Sequence, residues 1–103
     1  KLIAPAIPSI VAITQKHKIP VINYAAITTQ NHQTLASYTI NWSLLGDQTA
    51  DLAVRILNGK SAALLAPIKP NADTHQAFIS NKRLKALGMT LLASLGDCNC
   101  VVK

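Results

Sequence analysis

Several features that mark common protein classes are scarce or missing in this 103-residue sequence. Aromatic residues make up only 4 % of it, so the hydrophobic core has to be built from Ile, Leu, Val and Ala. Charged residues reach only 14 % while half of all residues are hydrophobic, a balance that excludes an intrinsically disordered chain. No apolar run approaches the roughly 18 residues of a transmembrane helix. The length fits one domain or a piece of one.

The residues that a metal centre or a catalytic site needs do not come together in the sequence. Cys98 and Cys100 are one residue apart, whereas a zinc site normally takes four ligands at longer spacings. The histidines are scattered, the glycines form no phosphate-binding loop, and Ser37 belongs to no recognisable triad. Asp47 and Asp51 are spaced like a carboxylate pair, but both lie in the N-terminal half of a predicted helix, where the helix dipole favours negative charge. We therefore expect no cofactor, no metal ion and no enzymatic activity.

Acidic residues are also few, because the sequence has no glutamate. Ten Lys and Arg residues against four Asp give a net charge of +6, a balance typical of proteins that bind nucleic acid or anionic membranes. Only Lys82, Arg83 and Lys85 cluster, and no aromatic residues are interleaved among them for base stacking. The pattern favours a solvated surface, so we expect no nucleic-acid partner. A small basic nucleic-acid-binding module is the weakest alternative.

Hydrophobic periodicity and breaker residues predict alternating helices and strands. The predicted elements, in chain order, are a helix over 5–18 with Pro5 and Pro8 near its first turn, a strand over 19–23, a loop or poor helical turn over 28–34, a strand over 35–40, a helix ending at Asn58-Gly59, an extended connector over 61–77, a strand over 77–80 and a helix over 81–89.

The stretch "SLLGDQTADLAVRILNGK", residues 43–60, has the most defined helix pattern. Asn41 or Ser43 can cap its start, and Gly59 suits the left-handed position that ends a helix. Asp51 and Arg55 form an i,i+4 pair in the favourable orientation. Leucine, isoleucine and alanine at three-to-four spacing give it an apolar side, which we expect to pack on a sheet.

The order of these elements predicts an α/β fold, with a parallel sheet flanked by helices. Such a sheet needs a further strand just before Lys1, and the chain begins "KLIAPAIPSI" without an initiator Met or a signal peptide. We therefore expect it to be an internal piece of a longer protein. A sheet that lacks its neighbouring strand leaves an open edge, which predicts self-association.

Three stretches together resemble the substrate-binding proteins of ABC transporters, in the branch linked to tryptophan and tyrosine. They are "IPVI", "LASYTINWSLLGDQTADLAVRILNGKSA" and "FISNKRLKALGMTL", and the match runs over residues 5–92. The resemblance implies one lobe of a two-lobed, type I periplasmic-binding-protein-like fold, which closes on a small ligand and is recognised by a membrane permease. It implies a C-terminal ligand-binding lobe over 1–63, a connector or hinge crossing over 64–76, and a terminal strand and helix over 77–103 that pack on a missing lobe. It also implies a periplasmic or extracytoplasmic location, membrane-associated if the protein is a lipoprotein.

In that family, and in open α/β sheets generally, ligands bind at the C-terminal ends of parallel strands. The predicted strands end at Asn23-Tyr24 and at Asn41-Trp42, which makes these four the candidate ligand-binding residues. Asn41 suits a ligand hydrogen bond or a helix cap, and the two roles are compatible. Trp42 either stacks on a ligand ring or fastens the helix to the sheet.

The favoured function is the solute-binding component of an ABC importer for a small ligand such as an amino acid or a related metabolite. A ligand-sensing domain of a transcription regulator, which shares the lobe plan, is the alternative. The sequence upstream of Lys1 would distinguish the two functions. A secretory signal or a lipoprotein cysteine would indicate the importer component, and a helix-turn-helix would indicate the regulator.

Overall fold

The computed structural model describes residues 3–103. Its helices and strands alternate in the order α1 (Ile3–Lys16), β1 (Ile22–Asn23), α2 (Ala26–Gln30), β2 (Ala36–Ile40), α3 (Trp42–Leu57), β3 (His75–Ser80), α4 (Asn81–Ala86) and β4 (Val101–Val102). Single 3-10 turns lie at Ala62–Leu64, Ala72–Thr74 and Ala93–Leu95. None of the helices in this described part is long and apolar enough to cross a membrane.

Helix α1 differs from its prediction at Pro8. Both prolines were expected near the first turn, but the helix begins at Ile3, so Pro8 lies inside it. Proline has no backbone N–H, so one intrahelical hydrogen bond is absent at that turn. The helix ends near the predicted place, with Lys18 in the left-handed region at φ 54° and the Ile19 N–H bonded to the Thr14 carbonyl at 2.8 Å.

The four strands form one sheet in the order β1-β2-β3-β4. β1 runs parallel to β2, with Ile22 opposite Ala36, and β3 runs parallel to β4, with Ile79 opposite Val101. The α/β class with a sheet flanked by helices is thus confirmed.

The two central strands of the sheet, β2 and β3, run antiparallel to each other, and we call this pairing the antiparallel step. The Ser80 N–H donates to the Leu35 carbonyl at 2.8 Å, and the Asn41 N–H donates to the Thr74 carbonyl at 2.7 Å. The start of β2 therefore lies beside the end of β3, and the end of β2 beside the residue that precedes β3. The chain leaves the sheet after β2 and returns in the neighbouring strand in the opposite direction.

The chain divides into two compact units. Unit 1 comprises residues 1–39 and 77–103, and unit 2 comprises residues 40–76. Residues 77–103 belong with 1–39 because the Ser80 N–H donates to the Leu35 carbonyl and Ser80 Oγ bonds to His32 Nδ1. The expected boundaries, with a lobe over 1–63, a connector over 64–76 and a segment over 77–103 that packs on a missing lobe, stay a prediction.

The interior of unit 1 is richer in hydroxyl groups than an aliphatic composition suggests. Leu35 and Leu84 are the buried apolar side chains among the described residues, and buried polar side chains outnumber them. These polar residues are Thr28, Thr29, Thr34, Ser37, Thr39, Ser80 and Arg83. Apolar burial alone therefore does not account for the fold of this unit.

In unit 2, the start and end of α3 agree with the prediction but its packing does not. Asn41 caps the helix, its Oδ1 accepting the Leu44 N–H at 3.2 Å, and Gly59 follows the end at φ 90°. Arg55 and Asp51 form the expected ion pair at 2.6 Å. No side chain of α3 is buried, so the expected packing of its apolar side on a sheet is wrong for this chain. The helix instead contacts the 3-10 turn at Ala72–Thr74.

Candidate ligand-binding site

The first candidate pair, Asn23-Tyr24, lies at the carboxyl end of β1 in unit 1. The Asn23 side chain holds the turn that follows, because its Oδ1 accepts the Ala25 N–H at 3.1 Å and its Nδ2 donates to Thr28 Oγ1 at 2.7 Å. The next residue, Tyr24, remains 55 % exposed. Asn23 thus fixes the backbone, and the tyrosine ring is the part of the pair that a ligand can reach.

The second candidate pair, Asn41-Trp42, follows β2 and belongs to unit 2. The Asn41 Oδ1 is occupied by the helix cap, and no hydrogen bond from its Nδ2 to the described residues is recorded. Trp42 is the first residue of α3 and is 66 % exposed, so most of its ring is accessible. The pair therefore offers an aromatic face and an amide donor.

An apolar concavity of about 300 Å³ lies next to Tyr24 in unit 1. Ile7, Ile10 and Val11 of α1 form one wall, and Val21 and Thr34 contribute to the rest. The lining of this concavity is suited to an apolar group, and Tyr24 is the aromatic residue that lines it.

Unit 2 has its own concave surfaces along α3. Trp42 lines an apolar groove of about 460 Å³ together with Leu45, Gly46 and Thr49. A larger, more polar hollow of about 590 Å³ lies between the Asp51–Arg55 pair and residues 66–69 of the connector. None of the four candidate residues lines this second hollow. The candidate aromatic residue of unit 2 thus borders an apolar groove, as Tyr24 does in unit 1.

A network of hydroxyl groups inside unit 1 supports the pair Asn23-Tyr24. The sequence analysis did not predict this network. Thr34 Oγ1 bonds to Thr28 Oγ1 at 3.0 Å and to Thr29 Oγ1 at 2.9 Å, and Thr28 in turn holds Asn23. No spacing rule reveals such a network, because α2 is short and threonine alone predicts neither helix nor site. The network fixes the position of Asn23 and hence the path of the backbone that follows β1.

Other polar groups of unit 1 are structural or unpaired. His32 Nδ1 bonds to Ser80 Oγ at 2.8 Å, and Ser80 also caps α4 by accepting the Arg83 N–H. Ser37 is buried, and its hydroxyl has no hydrogen-bond partner among the described residues.

The cysteines and the other possible metal ligands form no metal site. Cys98 and Cys100, whose role the sequence left open, are joined by a disulfide bond. Within residues 3–103, no three His, Cys, Asp or Glu side chains are placed to hold a metal ion. What the candidate residues offer is two exposed aromatic side chains, Tyr24 and Trp42, and the amide donor of Asn41.

Comparison with known proteins places the chain in a family. The family model described as "ABC transporter substrate binding protein" matches residues 1–97. No match was found among the curated proteins.

Two solved structures are similar to the chain. One is the ligand-free, open structure of a substrate binding protein with adhesive properties from Clostridium difficile, at 31 % identity and a TM-score of 0.72 over 99 % of this chain. The other is a conserved domain protein from Vibrio cholerae O1 biovar El Tor, at 25 % identity and a TM-score of 0.69 over 90 % of this chain. The chain spans only 33 % and 30 % of these two proteins, respectively. With nearly its whole length matched by the family model, the chain belongs to the ABC transporter substrate binding protein family.

Proposed function

We propose that this chain forms part of the solute-binding component of an ABC importer and takes part in binding an amino acid or a related small metabolite. Binding is non-enzymatic: two lobes close on the ligand, and a membrane permease recognises the closed form. The protein acts on the extracytoplasmic side of the membrane. The family membership supports the transport role, and the side chains at the strand ends support the ligand class.

The observation that carries the proposal is the recurrence of one arrangement in both units. After β1 and again after β2, an asparagine Oδ1 accepts a backbone N–H and holds the chain, and the next residue is an exposed aromatic. Tyr24 and Trp42 are therefore presented from fixed backbone positions at little conformational cost. Preorganised aromatic residues of this kind are typical anchors of binding sites.

The chemistry of these side chains selects the ligand class. Aromatic faces and the apolar wall beside Tyr24 suit a planar or apolar ligand group, and amide N–H groups such as Asn41 Nδ2 donate to a carbonyl or carboxylate oxygen. An amino acid has both parts.

The division into two compact units, residues 1–39 with 77–103 and residues 40–76, supports a two-lobed plan. The half-exposed apolar side of α3 is completed by the remainder of its lobe. The expected connector or hinge crossing over 64–76 stays a prediction.

Thermal-shift measurements on the intact protein against amino acids and related metabolites test the function. We expect a selective rise in the melting temperature with one ligand group. The absence of stabilisation by every compound would overturn the proposal.

The ligand found in that screen then tests the two aromatic residues. Tyr24→Ala and Trp42→Ala should each weaken its binding about 30-fold, the size of an interface hot spot. Tyr38→Ala is the matched control, because Tyr38 is about as exposed as Tyr24 but does not follow a strand end. Isothermal titration calorimetry would measure the dissociation constants, and equal losses in all three variants would contradict the assignment.

A further inference from the structure

The net charge of the protein is confined to one of its two units. Residues 1–39 and 77–103 hold seven Lys and Arg residues against Asp97 alone, a net charge of +6. Residues 40–76 hold three basic residues against three aspartates, a net charge of zero. The two values add up to the total of +6. Such asymmetry between parts of a chain indicates a surface directed at an anionic partner.

Within unit 1, a side-chain contact gathers basic residues that are far apart in sequence. The side-chain amide of Gln15 lies against the buried Arg83 guanidinium. The C-terminal turn of α1 therefore lies beside α4. Lys16 and Lys18 at the end of α1, and Lys82 and Lys85 on α4, are all exposed. We call these four lysines the basic face.

Nothing in the described part of unit 1 neutralises the basic face. The ion pair recorded among residues 3–103 is Asp51–Arg55, which lies in unit 2. Lys16 and Lys18 at the end of α1 and Lys82 and Lys85 on α4 repel each other, and an anionic surface relieves that repulsion by supplying the opposite charge.

The surroundings of the basic face favour a lipid surface over nucleic acid. Ile13, one turn before Lys16, and Ile19, next to Lys18, are both exposed. Basic residues with apolar neighbours at one helix end are typical of protein surfaces that rest on a membrane interface. No aromatic side chain is interleaved among the lysines to stack on bases.

We propose that the basic face docks the protein on a membrane surface rich in anionic phospholipid, with the lysines at the headgroups and Ile13 and Ile19 against the interface. The docking surface is separate from the candidate ligand site, since it includes neither Tyr24 nor Trp42. It would hold a solute-binding protein close to the bilayer.

Sedimentation of the intact protein with lipid vesicles tests this proposal. We expect binding to vesicles of equal parts phosphatidylcholine and phosphatidylglycerol, and none to phosphatidylcholine alone. Raising the salt from about 0.15 M to about 1 M, which shortens the Debye length from about 8 Å to about 3 Å, should release the protein.

Charge-removing variants locate the surface. Lys82→Gln with Lys85→Gln should lower the partition coefficient on the anionic vesicles about tenfold, as should Lys16→Gln with Lys18→Gln, because each lysine near the surface contributes a severalfold attraction. The control, Lys60→Gln with Lys69→Gln, removes the same charge from exposed positions of unit 2. It should change the partition coefficient less than twofold.

Circular dichroism would confirm that each variant is folded. Equal binding to neutral vesicles, an equal loss in the control variant, or tighter binding to duplex DNA than to anionic vesicles would each overturn the proposal.

Discussion

Replacing Thr34 with valine tests whether hydroxyl groups stabilise unit 1. Thr34 is 2 % exposed, and its Oγ1 bonds to both Thr28 and Thr29. Valine has the same shape but no hydroxyl, so both bonds are lost without leaving a cavity. The recorded partner of the fully buried Thr29 hydroxyl is then removed, whereas Thr28 keeps its bonds to Asn23 and Ala25.

The expected loss follows from these contacts. Two hydrogen bonds contribute about 1 kcal/mol each, and a buried hydroxyl left without a partner carries its desolvation penalty, so the free energy of unfolding should fall by about 2–3 kcal/mol. For a chain of this size, 2 kcal/mol corresponds to a drop in melting temperature of roughly 8–16 °C. Urea unfolding followed by circular dichroism measures the free energy.

The control is Ser37→Ala, at a hydroxyl that is equally buried but has no hydrogen-bond partner within residues 3–103. Removing it should change stability by less than about 0.5 kcal/mol or raise it, because an unpaired buried hydroxyl stabilises nothing. Hydrogen exchange of the Gln33 and Thr34 amides, which both donate to the Thr28 carbonyl, reports on unit 1 alone. Equal destabilisation by the two substitutions, or no loss of protection in Thr34→Val, would refute the reasoning.

Three further predictions concern the backbone and the disulfide. Asn41→Ala should cost about 1 kcal/mol by removing the cap of α3, measured by urea unfolding with tryptophan fluorescence, and an unchanged midpoint would contradict it. Gly59→Ala should lower the melting temperature, because Gly59 has φ 90°. Gly46→Ala should raise it, because Gly46 lies inside α3 and an added Cβ there meets no atom within 4 Å. Shifts of the same sign in the two variants would refute the conformational argument. Serine at both Cys98 and Cys100 should cost only about 1.5 kcal/mol because the closed loop is so short, and calorimetry showing a loss above about 3 kcal/mol would contradict the chain-entropy estimate.

What the sequence predicted well depends on neighbours along the chain. The Asn41 cap, the stop at Gly59 and the Asp51–Arg55 pair all act within four residues, so residue type and spacing were sufficient. The same holds for the α/β class, because hydrophobic periodicity is a local signal. The proposed site also depends on local sequence signals, since its asparagines and aromatic residues lie at strand ends that hydrophobic periodicity locates.

What the sequence did not predict depends on contacts across the chain. β4 has only two residues, and it is a strand because β3 lies beside it. The five residues of α2 gave no apolar pattern, since hydroxyl bonds to Thr34 hold its threonines inside. The antiparallel step between β2 and β3, and hence the division into units, is set by pairs about 40 residues apart.

The antiparallel step also has a consequence for how the protein is made. A ribosome delivers residues 1–39 first, but the sheet of unit 1 gains β3 and β4 only after residues 40–76 have emerged. Until then β2 has an open edge of backbone N–H and carbonyl groups that can pair with another nascent chain. The bond between the Asn41 N–H and the Thr74 carbonyl closes the intervening segment at its base. Once α3 has formed, it shortens that segment, because a helix rises only about 1.5 Å per residue.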